Sequence, residues 1–258
     1  MIDSHAHLSP RIEGGAQGLI SRAKEGGVKN IILVGYNVES SFEGKAVALQ
    51  NDGVFYTAGI HPSDCQYADN SAIDQLFELL KSEKGVAVGE IGLDYYYGKD
   101  NKSEQIKAFE KQLELASKIN LPVVIHSRDA TGDMTAILQN YASSLKKGFL
   151  MHCYSESKES AQKYLELGAY FAFGGAITFK NAKKEDIIKS IPLNRVLCET
   201  DCPYMAPVPY RGNVNESSYI PLVYNKMADT YGVGLEQLVL QIRDNAYRFF
   251  GKKEFIEG

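Results

Sequence analysis

Cysteine is scarce in this sequence, and long apolar runs are missing. The four cysteines are scattered without a CxxC spacing, and they are too few to staple a chain of this length by disulfides. No apolar run approaches the roughly 18 residues that cross a bilayer. The first residues also lack the basic and then apolar segments of a secretory signal. We therefore expect reduced thiols, no membrane partner and a cytoplasmic location.

Positive charge is not in excess either. Lysine and arginine number 28 against 32 aspartates and glutamates, which gives a formal net charge of −4. The field of the whole molecule therefore does not attract a polyanion, and any binding of nucleic acid has to come from local cations or bound metal ions. Nothing in the sequence indicates an obligate protein partner.

The sequence does contain a regular alternation of two kinds of segment. Short runs rich in β-branched residues recur, and each is followed by a longer segment with helical periodicity, which is typical of βα units around a parallel sheet. Strands are predicted at 2–5, 31–34, 54–60, 86–91, 123–126, 149–152, 170–173 and 195–199. Helices are predicted near 16–27, 39–51, 71–83, 101–119, 131–145, 157–167, 182–190 and 217–250.

The number of predicted strands favours one fold class. Eight strands with interleaved helices fit a closed (β/α)₈ barrel better than an open doubly wound sheet, and 258 residues is an ordinary length for such a barrel. We therefore expect an α/β protein with a single barrel domain over residues 1–258. Two of its helices are predicted to begin with capping boxes, one formed by Ser40 with Glu43 and the other by Ser71 with Asp74.

All the histidines of the chain lie at the carboxyl ends of predicted strands. They are His5, His7, His61, His126 and His152. In a (β/α)₈ barrel these strand ends converge on one face, where active sites are built. A single histidine in such a place is more often structural than functional, but five at equivalent positions are not independent accidents. We therefore expect the histidines to form a site.

Two carboxylates occupy the same kind of position. Glu90 lies at the end of the fourth predicted strand, and Asp201 follows the eighth. Burying a carboxylate is costly unless it is paired or bound to metal, and imidazoles with carboxylates are the ligands of catalytic divalent ions. The predicted metal ligands are His5, His7, Glu90, His126, His152 and Asp201.

Six ligands are more than one catalytic ion needs, since such an ion usually takes three protein ligands and keeps an open position. We expect two ions, among Mg²⁺, Mn²⁺ and Zn²⁺, bridged by Glu90. One closed metal site surrounded by the spare histidines is the alternative. Side chains alternate along a strand, so Glu199 shares a face with Asp201 one layer deeper, where it would act through stability or ligand orientation.

Three consecutive tyrosines, Tyr95, Tyr96 and Tyr97, follow Asp94. They form either a wall of the pocket or a surface on which a planar group such as a base stacks. The residues alone leave both interpretations open.

Seven motifs spread over the chain resemble those of the TatD family of metal-dependent deoxyribonucleases. They are DSHAHL at 3–8, GIHP at 59–62, GEIGLDYY at 89–96, PVVIHSRDA at 122–130, MHCYS at 151–155, FGGAITFKNA at 173–182 and CETDCPYMAP at 198–207. The resemblance implies a barrel, a divalent-metal site and hydrolysis of phosphodiester bonds. It carries the ligand roles onto the same six residues that the strand pattern selects.

The resemblance also draws attention to the segment RGNVNES, which holds Arg211, Asn215 and Glu216. Where relatives commonly have proline after the glutamate, this chain has Ser217. Serine can cap a helix, so we expect a local change only.

The function that this resemblance favours is a deoxyribonuclease of the exonuclease type, acting on DNA ends or short oligonucleotides. In that mechanism Asp201 orients or deprotonates a metal-activated water, Glu90 bridges the ions, and His61 contacts the phosphate or protonates the leaving oxygen. Arg128 and Arg211 would hold phosphate oxygens, with Tyr95 beside the substrate. For each arginine, a structural ion pair is the alternative.

Two other functions compete with this one. The same metal-activated water hydrolyses small amides, lactones and phosphoesters in related enzymes. Some of those enzymes bridge their metals with a modified lysine at the end of the fourth strand, where this chain has Glu90, so the sequence favours the phosphodiesterase. The third possibility, a metal-binding scaffold without catalysis, requires a degraded site, and this one is complete.

Overall fold

The computed structural model describes residues 1–256 as eight strands with helices between them. The strands are β1 (Ile2–Ala6), β2 (Asn30–Val34), β3 (Val54–Ala58), β4 (Gly85–Asp94), β5 (Val123–Arg128), β6 (Phe149–Met151), β7 (Tyr170–Phe173) and β8 (Val196–Cys198). The α-helices are α1 (Gly15–Glu25), α2 (Val38–Gln50), α3 (Asn70–Leu80), α4 (Lys102–Ile119), α5 (Thr131–Tyr141), α6 (Lys158–Glu166), α7 (Glu185–Ser190), α8 (Ile220–Tyr231) and α9 (Leu235–Phe250). Short 3₁₀ helices lie at Pro62–Tyr67, Gly175–Thr178, Leu193–Arg195, Ser217–Tyr219 and Lys253–Phe255.

All eight strands belong to one sheet, in the order β1 to β8. The pairs β1–β2, β3–β4, β4–β5, β5–β6 and β7–β8 are parallel. A bridge between Ala6 and Cys202 joins the end of β1 to the segment after β8. Parallel strands in sequential order with helical crossovers are the pattern of the (β/α)₈ barrel. The predicted fold class is therefore confirmed.

The residues cluster into two compact units. Unit 1 comprises Met1–Leu33, Cys153–Lys158 and the described chain from Phe171 onward. Unit 2 comprises Val34–His152 and Glu159–Tyr170. The single domain expected over residues 1–258 stays a prediction.

Each unit has a dense apolar interior. In unit 1, the fully buried Tyr224 of α8 donates a hydrogen bond to the Ile2 carbonyl at 3.0 Å, which ties the helix to the start of β1. In unit 2, Phe55 of β3 and Phe109 of α4 are fully buried. Burial of a side chain of this size contributes about 1.5–3 kcal/mol, so these contacts fix the strands whose ends carry the site.

Strands β4 and β5 extend by two or more residues beyond their predicted ends. β4 continues four residues past Glu90 to Asp94, and its last three residues pair with His126, Ser127 and Arg128 of β5. Gly92 permits this pairing, because a Cβ at that position would lie 2.0 Å from the His126 carbonyl oxygen. The extension brings Asp94 beside β5.

The predicted helix starts were wrong in detail. The cap of α2 is Asn37, whose side chain accepts a hydrogen bond from the Ser40 amide, and the cap of α3 is Asp69, which accepts from the Ala72 amide. The predicted helix near 217–250 consists of α8 and α9, separated at Gly232, where the backbone turns left-handed with φ 67°.

Among residues 1–256, no helix combines the length and apolar character needed to cross a membrane. Over the same residues, no disulfide joins any of the four cysteines.

Candidate metal centre

Three predicted ligands come together in unit 1. The Nε2 atoms of His5 and His7 lie 3.1 Å apart, and Asp201 Oδ1 is 3.9 Å from the first and 3.5 Å from the second. All three side chains are buried. Two ring nitrogens and a carboxylate oxygen that face one another in this way are suited to a shared cation.

The backbone holds Asp201 in place. Its amide donates a hydrogen bond to the His5 carbonyl at 2.9 Å, and its φ of 55° lies in the left-handed region. Aspartate and asparagine adopt this conformation more readily than other non-glycine residues. The conformation ends β8 and turns the chain back toward β1.

A buried carboxylate that the sequence analysis did not select, Asp3, supports this group. Its Oδ1 accepts hydrogen bonds from the amides of His5 and Thr200, and its Oδ2 accepts from the hydroxyls of Thr200 and Ser217 at 2.6 Å each. Burial raises the pKa of Asp3 to about 6, although the four hydrogen bonds act in the opposite direction. Ser217 therefore binds Asp3 and does not cap a helix.

The other predicted ligands gather around Glu90 in unit 2. Glu90 Oε1 lies 2.9 Å from His152 Nε2, 3.0 Å from His126 Nδ1 and 3.8 Å from His61 Nε2. The Nε2 of His152 and the Nδ1 of His126 are 3.5 Å apart. One carboxylate oxygen thus lies close to nitrogens of three imidazoles.

Asp94 orients one of these imidazoles. Its Oδ2 lies 3.1 Å from His126 Nε2, and its Oδ1 accepts the amides of Tyr96 and Tyr97 at 2.9 Å each. Burial raises the pKa of Asp94, but the hydrogen bonds from His126 and the two amides outweigh it and lower the pKa overall. An ionised carboxylate only accepts hydrogen bonds, so Nε2 of His126 carries a proton. Asp94 was not among the predicted site residues, because its approach to His126 depends on the extension of β4.

The contacts of His126 provide a test of whether a cation fits here. With its proton on Nε2, a neutral His126 presents the lone pair of Nδ1 to the Glu90 carboxylate at 3.0 Å. Two acceptors at this distance require a proton or a metal ion between them. Burial lowers the pKa of His126, yet its hydrogen bonds to Asp94 and Glu90 raise it overall. The donor set therefore fits a divalent ion.

His61 has a different protonation pattern. It caps the 3₁₀ helix Pro62–Tyr67, and its Nδ1 accepts the Ser63 amide at 3.1 Å. The remaining nitrogen, Nε2, therefore carries the proton in the neutral ring and faces Glu90. Burial, the largest influence, lowers the pKa of His61 to about 4. The ring is neutral near pH 7 and offers a hydrogen-bond donor.

The second acid of strand 8, Glu199, is fully buried. Its Oε1 accepts the amide of Cys153 at 2.6 Å, within unit 1. Cys153 has a φ of 43° and follows His152 directly in the chain. Glu199 thus fixes the turn that leaves β6.

The three tyrosines have different environments. Tyr95 is only 5% exposed, and its hydroxyl donates to Asp133 at 2.7 Å. Tyr96 and Tyr97 are exposed, and the guanidinium of Arg128 lies 4.0 Å and 4.9 Å from their ring centres. The substrate-binding role expected of Tyr95 stays a prediction, while the accessible rings are those of its two neighbours.

Arg211 is also exposed, and its guanidinium lies 4.5 Å from the centre of the Phe179 ring. Within residues 1–256, neither Arg128 nor Arg211 forms an ion pair with a carboxylate. Asn215 and Glu216, which belong to the same motif as Arg211, have structural contacts. Asn215 is fully buried and donates to the carbonyls of Thr200 and Tyr204, and Glu216 pairs with Arg22 at 2.6 Å.

Comparison with known proteins places the chain in a family. The family model described as TatD related DNase matches residues 2–251. The metal-dependent hydrolase YabD of Bacillus subtilis is 36% identical over 97% of this chain and 98% of its own length. A protein of Klebsiella pneumoniae named 3'-5' ssDNA/RNA exonuclease TatD is 30% identical over 90% of each chain.

A solved structure agrees with these matches. The TatD homologue YjjV of Escherichia coli superposes with a TM-score of 0.91 at 28% identity, over 98% of each chain. The chain is thus a metal-dependent hydrolase, and it belongs to the TatD-related DNase family.

Proposed function

We propose that this hydrolase is a two-metal phosphodiesterase that removes nucleotides from DNA ends or short oligonucleotides. The observation that carries the metal chemistry is the approach of three imidazole nitrogens to Glu90 Oε1, within 3.8 Å. The choice of a nucleic-acid substrate is supported by relatives such as the Klebsiella pneumoniae protein, which is named an exonuclease.

We place both groups of ligands in one reaction. In the (β/α)₈ fold the carboxyl ends of the strands lie on one face, which supports this part of the proposal. His5, His7 and Asp201 would hold one ion, His126 and His152 the other, and Glu90 both. When bound, two divalent ions supply a water of lowered pKa and neutralise charge on the phosphate oxygens.

The residues of the chain then have separate tasks. Asp201 accepts the proton of the attacking water. His61, neutral with Nε2 protonated, donates a hydrogen bond to the phosphate or to the leaving oxygen. The guanidinium groups of Arg128 and Arg211 have donors available for phosphate oxygens, because no carboxylate pairs with them among residues 1–256.

The test compares substrates that differ in their ends. Metal-loaded protein is incubated with a linear single-stranded DNA, a covalently closed circle of the same sequence, a dinucleotide, a lactone and a small amide. We expect the linear strand to be shortened stepwise from one end while the circle stays intact. Protein carrying Asp201→Asn, purified in the same way, controls for contaminating nucleases.

Two results would contradict the proposal. Equal rates on the circle and the linear strand would show an endonuclease. Rapid hydrolysis of the lactone or amide with intact oligonucleotides would support the other branch of metal-dependent hydrolases.

A further inference from the structure

Exposed apolar side chains gather in the segment that follows Asp201 in unit 1. Tyr204 is 54% exposed, Val208 46% and Tyr210 39%. The backbone beneath them is held firmly, because the Asn215 side chain donates to the Tyr204 carbonyl at 2.7 Å and the Val208 amide donates to Thr178 Oγ1 at 2.9 Å. Their exposure is therefore a fixed property of the loop.

Cations are carried by this segment and by a second segment that it contacts. The segments 179–184 and 203–211 carry Lys180, Lys183, Lys184 and Arg211 and contain no carboxylate, although the chain as a whole has a net charge of −4. The hydrogen bond from Val208 to Thr178 and the contact of Arg211 with Phe179 bring the two segments together. Lys184 donates to the Ser155 carbonyl, which leaves the exposed Lys180, Lys183 and Arg211 available.

The aromatic rings have defined positions. The centre of the Tyr204 ring lies 6.3 Å from that of His7, so Tyr204 borders the metal ligands of unit 1. The ring of Tyr210 stacks on Tyr219 with 4.2 Å between centres and 9° between planes. Tyr219 thus fixes the orientation of Tyr210.

We propose that this surface, the basic–aromatic ledge formed by Lys180, Lys183, Tyr204, Tyr210 and Arg211, binds the single-stranded nucleic acid behind the end being hydrolysed. Bases stack on the two tyrosines, and phosphates contact the three cations. The inference rests on the proposed function, whose substrate it extends from one nucleotide to several.

The chemistry of the ledge favours nucleic acid over a protein partner. Aromatic rings combined with cations are typical of sequence-tolerant binding to single strands, because every base has a face that can stack. The centre of a protein interface is instead depleted of charge, whereas here cations accompany the rings.

Binding is measured by fluorescence anisotropy with a labelled oligothymidylate and metal-loaded Asp201→Asn protein, in which turnover is suppressed. Tyr210→Ala should raise the Kd about five- to 150-fold, the range for loss of one stacked base, while Tyr210→Phe keeps the ring and the affinity. Tyr204→Ala is the second variant, should Tyr210→Ala fail to fold. Phe42→Ala, which removes an exposed ring from α2, should not change the Kd.

The cations and the bases are tested separately. The double variant Lys180→Gln and Lys183→Gln should reduce the magnitude of the slope of log affinity against log salt, by roughly 0.7 for each phosphate that no longer has a cation beside it. The control double variant, Lys24→Gln and Lys29→Gln, should leave the slope unchanged. The substitution Tyr210→Ala should weaken the binding of an abasic strand of equal length far less than the binding of oligothymidylate, because only bases stack.

Three outcomes would contradict the binding role of the ledge. They are a wild-type Kd and salt slope in the ledge variants, an equal fall in affinity for abasic and base-carrying strands, and a wild-type protein that binds no oligonucleotide. The failure of the proposed function looks different. If the protein bound oligothymidylate through the ledge but hydrolysed no oligonucleotide, the binding role of the ledge would be supported and the proposed nuclease activity would be contradicted.

Discussion

Asp201 is a proposed metal ligand, and its backbone has a conformation that few side chains tolerate. Asparagine keeps the size and the tolerance for a φ of 55° but removes the charge and the proton-accepting capacity. We expect Asp201→Asn to lower kcat by about 10²–10⁴-fold, the usual contribution of a positioned general base. The fold, checked by thermal denaturation, should survive, and metal binding, checked by calorimetry, should survive in part.

Glu199 provides the matched comparison on the same strand. Glu199→Gln retains an oxygen that can accept the Cys153 amide, so its effect should fall on stability and ligand orientation and not on proton transfer. Two results together would contradict this assignment: near-normal turnover of Asp201→Asn at saturating metal, and no turnover of Glu199→Gln in a folded, metal-loaded protein. The water-activating role would then belong to Glu199.

Asp94 should determine which nitrogen of His126 is available to a metal. In Asp94→Asn, the side-chain oxygen of the asparagine can still accept hydrogen bonds from the backbone amides of Tyr96 and Tyr97. The side-chain NH₂ group then faces His126 Nε2. The proton of His126 then moves to Nδ1, the nitrogen that faces Glu90. We expect metal affinity to fall by about 10–100-fold, as is typical when the hydrogen-bond partner of a metal ligand is removed.

Two measurements check this change in His126. Long-range ¹H–¹⁵N NMR of the metal-free protein, at a pH above the pKa of His126, should show the proton on Nε2 in the wild type and on Nδ1 in the variant. Calorimetry gives the metal affinity. Asp133→Asn, which alters the partner of Tyr95, is the control and should retain it. An unchanged tautomer in Asp94→Asn would disprove the positioning role.

The segment between β8 and α8 depends on a buried hydroxyl. Ser217 donates to Asp3 Oδ2 and is fully buried, so Ser217→Ala leaves that oxygen without one of its two donors. We expect the free energy of unfolding in urea to fall by about 1–3 kcal/mol. The exposed Ser103→Ala should change it by less than about 0.5 kcal/mol. Equal values for the two variants would show that the hydroxyl contributes nothing.

Periodicity predicted the order and type of the strands and most helices, because apolar patterns directly reflect which face is buried. It did not identify Asn37 and Asp69 as caps, since several polar residues near each helix start satisfy the same spacing. Ser217 was expected to cap a helix, but a buried carboxylate more than 200 positions away captures its hydroxyl. Such long-range pairing has no local signal.

The same reasoning applies to the site. Histidines and carboxylates at strand ends indicated the two groups of ligands, because topology alone brings strand ends together. Asp94 and Asp3 were missed because their roles depend on one extended strand pairing and one buried network. The orientation of a side chain around such contacts is set by packing, which the spacing of residues does not encode.

Removal of metal tests the chemistry of the whole molecule. Imidazoles and carboxylates gathered in two groups are typical ligands of divalent cations, so we expect activity to depend on such a cation. We expect dialysis against a chelator to abolish hydrolysis of a linear oligonucleotide and added Mg²⁺, Mn²⁺ or Zn²⁺ to restore it. Stripped protein with a full rate would rule out the metal mechanism.

The number of ions is a separate measurement. Elemental analysis of the reconstituted protein should give two ions per chain, and Glu90→Gln should lower this number because the bridging charge is removed. Asp133→Asn, which alters the partner of Tyr95 and changes no predicted ligand, is the control. One ion in well-occupied wild-type protein would favour the single closed site.

The way the chain is divided between the two units has a consequence for protein synthesis. Every residue of unit 2 has been added to the chain once Tyr170 is made, whereas unit 1 still lacks all its residues from Phe171 onward. His5 and His7 are among the first residues translated, whereas the carboxylate of Asp201 is added only after β8 has been made. The residues around Glu90 are therefore complete in the nascent chain before the group of Asp201 is complete.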